Sequence, residues 1–318
     1  MYWLGIDIGS ISTDLVVTDS NFKVVKKLYL KTKGRPLDAV RKGLGILGGY
    51  FEDGDIGGVG VTGSGRMLGG TLAGADVIKN EITAHARAVS LTDPDIRTVI
   101  EIGGQDSKLI IMKNGFVEDF AMNTVCAAGT GSFLDRQAAR MGISVEELGR
   151  IAAETDKYVN IAGRCAVFAE SDMIHKQQKG AGEAELMAGM CRALALSFLS
   201  NVAKGKKIEP KICFQGGVAS NLGMKKAFED ILGYEVFVPE EHGVMGALGV
   251  AVLACEKSAG KTNFRGFDIA DRTLMLEEKS CGLCENNCSV IKITEENSIL
   301  GYAGDICGRY TGAASGTL

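Results

Sequence analysis

The stretch Trp3-Leu-Gly-Ile-Asp-Ile-Gly-Ser10 has the pattern of a short buried strand that ends in a Gly/Ser turn. A similar stretch, Thr98-Val-Ile-Glu-Ile-Gly-Gly-Gln-Asp106, begins the pattern again. Two further strand patterns follow each copy, at 14–19 and 23–30 after the first and at 108–112 and 116–122 after the second. A repeat of this length indicates two lobes of like topology, not a solenoid. We therefore predict a duplicated, two-lobed α/β fold; two unrelated α/β domains are the alternative.

Helical and strand patterns fill the rest of the chain. Helices are predicted at 36–51, 80–91, 130–141, 144–154, 168–178, 182–203, 222–232 and 244–257, and further strands at 56–62, 211–215 and 234–238. The predicted domains are a first lobe at 1–96, a second lobe at 97–240, a helix returning to the first lobe at 241–258 and a Cys-rich extension at 259–318.

Composition limits the class of protein. Hydrophobic residues make up 46% of the 318 residues and charged residues 23%, as in a globular protein with a full core. The net charge of −4 argues against a broad nucleic-acid surface. The N-terminus leads at once into a strand with an acidic residue, and charges or glycines interrupt the apolar runs. The sequence therefore predicts neither a signal peptide nor a transmembrane helix. Nine cysteines then favour metal ligands, redox thiols or core residues over disulfides, and we expect a cytoplasmic protein.

Three Gly-rich turns follow strands, and each offers groups that bind a nucleotide. The first, Asp7-Ile-Gly-Ser-Ile-Ser-Thr13, has a carboxylate, hydroxyls and backbone N–H groups suited to phosphate and Mg²⁺. The second, Glu101-Ile-Gly-Gly-Gln-Asp-Ser107, adds groups that would orient Mg²⁺ and water. The third, Gly216-Gly-Val-Ala-Ser-Asn221, lets a flat base or ribose approach the backbone. The chain has no P-loop motif. Three such turns on a duplicated frame predict a nucleotide, held where the two lobes face each other across a cleft.

Two cysteines occur just before helical patterns. Cys126 lies in Asn123-Thr-Val-Cys-Ala-Ala-Gly-Thr-Gly-Ser-Phe-Leu-Asp135, and Cys165 lies in Gly163-Arg-Cys-Ala-Val-Phe-Ala-Glu-Ser-Asp172. Unpaired N–H groups and the positive end of the helix dipole stabilise a thiolate or an anionic cluster at such positions. These cysteines would supply half of a four-thiolate site, with the other half from a second, identical subunit. Buried thiols are the alternative.

The other cysteines fall into two groups. The C-terminal extension contains Cys281, Cys284, Cys288 and Cys307. Their C-x₂-C-x₃-C spacing plus a distant cysteine suits a tetrahedral site for zinc or for an iron–sulfur cluster. A set of reduced thiols in a small β module is the alternative. Within apolar helix or strand patterns, Cys191, Cys213 and Cys255 are predicted to be buried small hydrophobes.

Several motifs, in a fixed order, resemble a known family. They are Gly5-Ile-Asp-Ile-Gly-Ser10, Glu101-Ile-Gly-Gly-Gln-Asp-Ser-Lys108, Asn123-Thr-Val-Cys-Ala-Ala-Gly-Thr-Gly131, Arg164-Cys-Ala-Val-Phe-Ala-Glu-Ser171 and Gly216-Gly-Val-Ala-Ser-Asn221. Together they are similar to the activator ATPases of 2-hydroxyacyl-CoA dehydratases, the BadF/BadG/BcrA/BcrD type, over residues 1–257. That family also includes ATPase subunits of benzoyl-CoA reductase and the reductase of double-cubane-cluster proteins. The resemblance implies a fold of the actin/Hsp70/acetate-kinase (ASKHA) type.

The resemblance also implies an activity, which is ATP-dependent transfer of one electron at low potential under anaerobic conditions. In this family a homodimer holds one [4Fe–4S] cluster with two cysteines from each subunit, here Cys126 and Cys165. Reduced ferredoxin or flavodoxin would supply the electron, and ATP would change the angle between the helices that point at the cluster. The implied acceptor is a 2-hydroxyacyl-CoA dehydratase, with a benzoyl-CoA-type or double-cubane reductase as alternatives.

The resemblance further implies which residues hold ATP or ADP with Mg²⁺. The implied nucleotide-binding residues are Asp7, Gly9, Ser10, Ser12, Thr13, Gly103, Gly104, Gln105, Asp106, Gly216, Gly217, Asn221, Gly243 and Gly246. Of these, Asp7, Ser12 and Gln105 are the predicted catalytic residues. Many relatives carry a basic residue where this chain has Asp14, so no phosphate-binding lysine is assigned there. For Lys108 two roles stay open: it is either a substitute for that phosphate-binding lysine or a solvated strand residue.

Two other functions are compatible with such a fold. A sugar or acyl kinase would need a carboxylate base on the substrate side of the cleft, and no convincing one stands out in the sequence. An ATP-binding scaffold would use the C-terminal extension to recruit a partner without redox chemistry. Both alternatives predict a colourless protein without iron.

Overall fold

The computed structural model describes residues 1–123, 130–162, 166–257, 261–296 and 298–311, without the side chains of residues 166 and 167. The chain forms two compact units, Met1–Ala88 with Gly246–Leu318, and Val89–Met245. Each unit contains its own five-stranded sheet, and a third, three-stranded sheet forms in the C-terminal extension. The predicted α/β class is confirmed.

The first unit is built on a mixed sheet. Its elements begin with β1 (Tyr2–Ile8), β2 (Ser12–Thr18), β3 (Val24–Lys31), α1 (Pro36–Leu47), β4 (Ile56–Thr62), α2 (Arg66–Ala73), β5 (Val77–Ile78) and α3 (Glu81–Thr92). The strand order is β3-β2-β1-β4-β5, with β1 antiparallel to β2 and parallel to β4. Strand β3 alternates half-buried and exposed residues because successive side chains point to opposite faces of the sheet, whereas β4 is buried along its whole length.

The second unit repeats this topology. It contains β6 (Thr98–Ile102), β7 (Ser107–Lys113), β8 (Phe116–Asn123), α4 (Gly131–Met141), α5 (Val145–Ala153), α6 (Ala166–Gln178), α7 (Glu183–Asn201), β9 (Ile212–Gln215), α8 (Leu222–Leu232) and β10 (Val236–Phe237). The strand order is β10-β9-β6-β7-β8. Strand β6 is antiparallel to β7 and parallel to β9, as β1 is to β2 and β4. The predicted duplication is therefore confirmed strand by strand.

The chain returns to the first unit through α9 (Met245–Lys257), which packs directly on the first sheet. Glycine makes this contact possible. A Cβ atom added to Gly5 would lie 1.8 Å from the carbonyl oxygen of Ala247, and one added to Gly60 would lie 2.1 Å from that of Val250. Any side chain at these positions would push the helix away from the sheet. The glycines in β1 and β4 thus allow α9 to approach the sheet closely.

Helix α2 is the main element that the sequence patterns do not predict. Its sequence, Arg66-Met-Leu-Gly-Gly-Thr-Leu-Ala73, contains two glycines, which lower intrinsic helix propensity. Tertiary packing requires one of them, because a Cβ atom on Gly69 would lie 1.9 Å from Cδ1 of Ile8. Packing against β1 therefore overrides local propensity. Among the helices of the described ranges, none is long and apolar enough to cross a bilayer.

The C-terminal extension is a small antiparallel sheet attached to the first unit. Its strands are β11 (Leu274–Ser280), β12 (Ser289–Glu295) and β13 (Ser298–Ala303). The Oγ1 atom of Thr71, in α2, donates to the carbonyl of Tyr302 at 3.1 Å. The Arg265 guanidinium donates to the carbonyls of Thr71 at 3.1 Å and Leu300 at 2.6 Å. The extension is thereby hydrogen-bonded to the helix that follows β4.

Candidate functional site

The first turn joins β1 to β2 and carries Asp7 at its start. The N–H of Gly9 donates to the carbonyl of Ser12 at 2.8 Å and closes the turn, whose tip is exposed. The half-buried Asp7 carboxylate lies between two glycines. A Cβ atom on Gly63 would lie 2.6 Å from Asp7 Oδ1, and one on Gly246 would lie 2.0 Å from Oδ2. Two predicted residues that are distant in sequence, Asp7 and Gly246, are thus brought together. A fixed carboxylate beside an exposed turn is a donor set that fits the predicted Mg²⁺.

The shape of this turn depends on Thr32, a residue that the sequence analysis does not single out. Its hydroxyl lies 2.9 Å from the hydroxyl of Thr13 and donates to the carbonyl of Gly9 at 2.9 Å. Its backbone N–H donates to the carbonyl of Ile11 at 2.8 Å. Both threonines are buried, so these hydrogen bonds are protected from competing water. Thr32 therefore braces the turn from the end of β3.

Asp14, which follows the first turn on β2, is a buried acid. It lies on β2 directly opposite Asp7 on β1, and only 6% of its surface is exposed. The Ser12 hydroxyl donates to Asp14 Oδ2 at 3.2 Å, whereas Oδ1 accepts no hydrogen bond from the described residues. Burial, reinforced by the charge of Asp7, raises the pKa of Asp14 well above its usual range.

The raised pKa predicts how Asp14 affects stability. Because the folded carboxyl group binds its proton more tightly than the unfolded one, Asp14 stabilises the fold at acidic pH. This contribution is lost as pH rises through the raised pKa. We expect Asp14→Asn to raise the free energy of unfolding at neutral pH by about 1–3 kcal/mol, because no buried charge remains. The gain should disappear below the ordinary pKa of an aspartate. Urea unfolding across pH tests this, with the exposed Asp38→Asn as control; an equal change at every pH would contradict it.

The second turn has the same geometry as the first. The N–H of Gly103 donates to the carbonyl of Asp106 at 3.0 Å, as Gly9 does to Ser12. Gln105 is exposed at the tip, and Gly103, Gly104 and Asp106 are half-buried. The two turns therefore correspond in position and in hydrogen bonding. The predicted catalytic amide, Gln105, is accessible to a ligand, and its role stays a prediction.

Lys108 is the centre of a buried ion cluster behind the second turn. Its Nζ atom lies 2.8 Å from Glu101 Oε2 and 2.8 Å from Asp106 Oδ2. Lys108 is 2% exposed and Glu101 4%. Asp106 is partly exposed, so the cluster reaches the turn from the protein interior. Lys108 is therefore not a solvated strand residue. Its ammonium group holds two carboxylates in place.

The second turn is hydrogen-bonded to the start of α4. The N–H groups of Gly131 and Ser132 donate to the carbonyls of Gly103 and Gly104, each at 2.9 Å, and the Ser132 hydroxyl also donates to the Gly104 carbonyl. A Cβ atom on Gly131 would lie 2.8 Å from Val218 Cγ2, in the third turn. The second turn, the third turn and the first residues of α4 thus form one tightly packed group. Ser132 is a further residue that sequence reasoning misses, since only the folded chain brings it to the turn.

The third turn follows β9 and begins at Gly216. This residue has a φ of 90°, and a Cβ atom there would lie 2.4 Å from the carbonyl of Ile102, so glycine is required. Its N–H donates to the carbonyl of His242 at 2.8 Å, and its own carbonyl lies 3.1 Å from His242 Nδ1. Gly217 is exposed beside it, and Gly243 has open space on its Cβ side. The exposed Gly217 and the open space at Gly243 are compatible with a flat ligand here.

Asn221, predicted to bind the nucleotide, is fully buried and braces two helices. Its Oδ1 caps α8 by accepting from the N–H of Met224 at 3.0 Å. Its Nδ2 donates to the carbonyl of Val145, at the start of α5, at 3.0 Å. The structure thus gives Asn221 a structural role, and a contact with nucleotide stays a prediction.

Cys126 and Cys165 both lie outside the described residues. The described chain stops at Asn123, the end of β8, and resumes at Thr130, directly before α4. It resumes again at Ala166, the first residue of α6. Each cysteine therefore comes shortly before a helix in sequence. Their metal-binding role stays a prediction.

The remaining cysteines are free thiols in the described chain. Cys191 and Cys213 are buried, and burial raises the pKa of both thiols to about 12, so they stay protonated and unreactive. Cys255 is half-buried in α9. The four cysteines of the extension are exposed or half-buried. Within the described residues, no three His, Cys, Asp or Glu side chains form a group that could hold a metal ion.

A duplicated sheet whose two corresponding hairpins present acidic, Gly-rich turns is typical of ATPases of the actin-like fold. The chain belongs to the BadF/BadG/BcrA/BcrD ATPase family, whose match spans residues 4–254. It is 35% identical to the (R)-2-hydroxyglutaryl-CoA dehydratase activating ATPase of Acidaminococcus fermentans, over 81% of this chain and 99% of that protein. It is also 35% identical to the 2-hydroxyisocaproyl-CoA dehydratase activator of Clostridioides difficile, over 81% of this chain and 96% of that protein.

A solved structure supports the same assignment. The activator of the 2-hydroxyisocaproyl-CoA dehydratase from Clostridium difficile, with bound ADPNP, is similar with a TM-score of 0.73 and 35% identity. The similarity covers 81% of this chain and 96% of that one. The predicted family, actin-like fold and ATPase class are confirmed. The C-terminal extension lies beyond the family match.

Proposed function

We propose that this ATPase drives one-electron transfer to a 2-hydroxyacyl-CoA dehydratase or a related iron–sulfur reductase. Two chains would share one [4Fe–4S] cluster, held by Cys126 and Cys165 of each. When bound, the cluster supplies a one-electron redox centre, and ATP hydrolysis supplies the free energy. Reduced ferredoxin or flavodoxin in the cytoplasm is the proposed donor. Activators of acyl-CoA dehydratases among the relatives support this kind of acceptor.

One observation carries the proposal: the second turn is hydrogen-bonded to the helix that follows Cys126. Gly103 and Gly104 accept hydrogen bonds from the first two residues of α4. Three residues separate Cys126 from Thr130, which immediately precedes that helix. A change in the turn on hydrolysis would therefore shift the start of α4, and with it the segment that carries the cysteine. Such a link is what coupling between a nucleotide site and a redox site requires.

Different residues of the turns would bind the phosphates, the Mg²⁺ ion and the attacking water. Backbone N–H groups and the hydroxyls of Ser10 and Ser12 would hold phosphate oxygens, and Asp7 would hold Mg²⁺. Thr13 would act by shaping the turn, because its hydroxyl is buried against Thr32. Gln105 would orient the attacking water from the second turn. Behind it, Lys108 keeps Asp106 and Glu101 fixed, so the turn is preorganised before the nucleotide binds.

The test of this proposal compares the cluster in two nucleotide states. Anaerobically purified, reduced protein should show an electron paramagnetic resonance signal that differs between ADP and ATP. Ser132→Ala removes the side-chain hydrogen bond to Gly104 but leaves the helix start intact. We expect it to bind and hydrolyse ATP while the spectral difference between the two states becomes smaller.

The matched control is Ser200→Ala, which removes a similar hydroxyl-to-carbonyl hydrogen bond in α7. It should keep the full spectral difference. A reduced protein without an iron–sulfur signal would overturn the electron-transfer function. A normal difference in Ser132→Ala would overturn the coupling route through α4.

A further inference from the structure

The C-terminal extension contains a cysteine motif that the proposed ATPase and interface cluster leave unused. Strands β11 and β12 pair without a register shift, and Ser280 opposite Ser289 is the last pair of their ladder. The ladder continues one step further, since the N–H of Cys281 donates to the carbonyl of Cys288 at 2.8 Å. Directly opposed residues of antiparallel strands present their side chains on the same face. The side chains of Cys281 and Cys288 therefore project next to each other from the same face of the sheet.

The loop between these two cysteines is a compact turn that carries Cys284. The N–H of Asn287 donates to the carbonyl of Cys284 at 3.1 Å, and Asn287 Oδ1 accepts from the N–H of Gly282 at 3.3 Å. Gly282 and Asn287 both have positive φ, at 65° and 40°. Cys284 is thus held at the tip of a six-residue loop whose ends are the other two cysteines.

The segment that carries Cys307 folds over the same face. Lys279 precedes Cys281 by two residues on β11, so the two side chains share a face. The Lys279 ammonium group lies 4.8 Å from the ring centre of Tyr310 and 5.5 Å from that of Tyr302. The Asp305 carboxylate accepts from the N–H of Tyr310 at 2.8 Å and closes a loop around Cys307. A Cβ atom on Gly304 would also lie 2.4 Å from the carbonyl of Ser289, so the loop at 305–310 begins at the end of the sheet where Cys281 and Cys288 emerge.

In the part of the extension that the structure describes, few apolar side chains are buried at this end. The buried apolar residues of its strands are Val290, Ile293, Leu300 and Ala303. By contrast, Leu283 in the hairpin loop is 53% exposed and Ile306 beside Cys307 is 77% exposed. Small modules with so little core are commonly closed by a metal or by disulfides. All four cysteines here are free, and none is sequestered in the core.

We propose that Cys281, Cys284, Cys288 and Cys307 form a four-thiolate site for one thiophilic metal centre in each chain. The centre is either a zinc ion or an iron–sulfur cluster, since both take four cysteine thiolates. Among the described residues, no three of these thiols lie close enough together to hold a metal ion. Binding therefore draws the two exposed cysteines, Cys284 and Cys307, inward over the sheet. Metal then orders the hairpin loop and the 305–310 loop together.

The test uses the full chain with Cys126→Ser and Cys165→Ser, so that no interface cluster contributes metal. The protein is purified anaerobically, and zinc, iron and sulfide are measured per chain. About one zinc per chain identifies a zinc site, and about four irons with sulfide identify a cluster. Adding Cys281→Ser and Cys284→Ser should remove that metal, whereas adding Cys255→Ser should not.

A second measurement does not depend on these variants folding. Hydrogen exchange on the unsubstituted chain, with and without a metal chelator, should show slower exchange at 282–287 and 305–310 when metal is present. Absence of stoichiometric metal, together with unchanged exchange in both loops, would overturn the proposal. Loss of the interface cluster alone would not contradict the proposed metal site in the extension, because the two sites share no cysteine.

Discussion

Replacing Cys126 or Cys165 by serine is expected to abolish the interface cluster and, with it, ATP-dependent electron transfer. A serine hydroxyl is not a thiolate at neutral pH and does not replace it as an iron ligand. Each substitution removes two of the four proposed ligands from a dimer, one per chain. The cluster iron should fall from about four per dimer to near zero, and transfer to the acceptor should fall to background. Any metal in the C-terminal extension is counted separately by adding Cys281→Ser and Cys284→Ser.

ATP binding should survive in these variants, because no cysteine lies in the three turns. Anaerobic iron and sulfide counts, visible spectra and ATP binding measure the effects. Cys255→Ser is the matched control, since Cys255 is half-buried in α9 and outside the proposed ligand set. It should keep the full iron content. A Cys126→Ser protein with an unchanged visible spectrum would rule out Cys126 as a ligand.

Lys108→Met is expected to cause the largest loss of stability of any substitution behind the turns. Methionine fits the space of the lysine stem but removes the ammonium group that lies 2.8 Å from both Glu101 and Asp106. Breaking a buried ion pair from one side costs about 3–5 kcal/mol, because a buried charge loses its counter-charge. Urea unfolding should show this loss, and ATP affinity should fall because Asp106 lies in the second turn.

A double variant separates the cost of an uncompensated charge from the cost of packing. Lys108→Met with Glu101→Gln removes both buried charges and should recover most of the lost stability. Lys113→Met is the control on the same strand, since Lys113 pairs with Glu118 at the surface. It should change stability by less than about 1 kcal/mol. Equal losses in the Lys108 and Lys113 variants would show that the buried cluster does not stabilise the unit.

The buried acids of the two units differ in a way that bears on nucleotide binding. In the second unit Lys108 compensates Glu101 and Asp106, whereas in the first unit Asp14 lies opposite Asp7. Burial and the charge of Asp7 raise the pKa of Asp14, so the neutral form of this carboxyl group is favoured relative to an exposed aspartate. The duplicated hairpins therefore close with the same backbone hydrogen bond but place different residues opposite their acids, Asp14 opposite Asp7 and Lys108 opposite Glu101.

Much of the fold follows from local sequence. The strand and turn pattern at Trp3–Ser10 and its repeat at Thr98–Asp106 correctly predict two equivalent sheets. Apolar periodicity also places the long helices, including α7, observed at Glu183–Asn201. Helix α2 is not predicted because its two glycines lower helix propensity, and the contact of Gly69 with Ile8 is one that no local pattern encodes.

The sequence by itself determined the duplication, the family and the three turns that could hold a nucleotide. These depend on residues close together in the chain, where periodicity and turn chemistry act. Only the tertiary structure decided that Lys108 is a buried counter-ion, that Thr32 braces the first turn and that Asn221 caps α8. It also decided that Gly131 and Ser132 bind the second turn. Each of these contacts joins separate elements, so it depends on strand register and helix packing, which exist only in the folded chain.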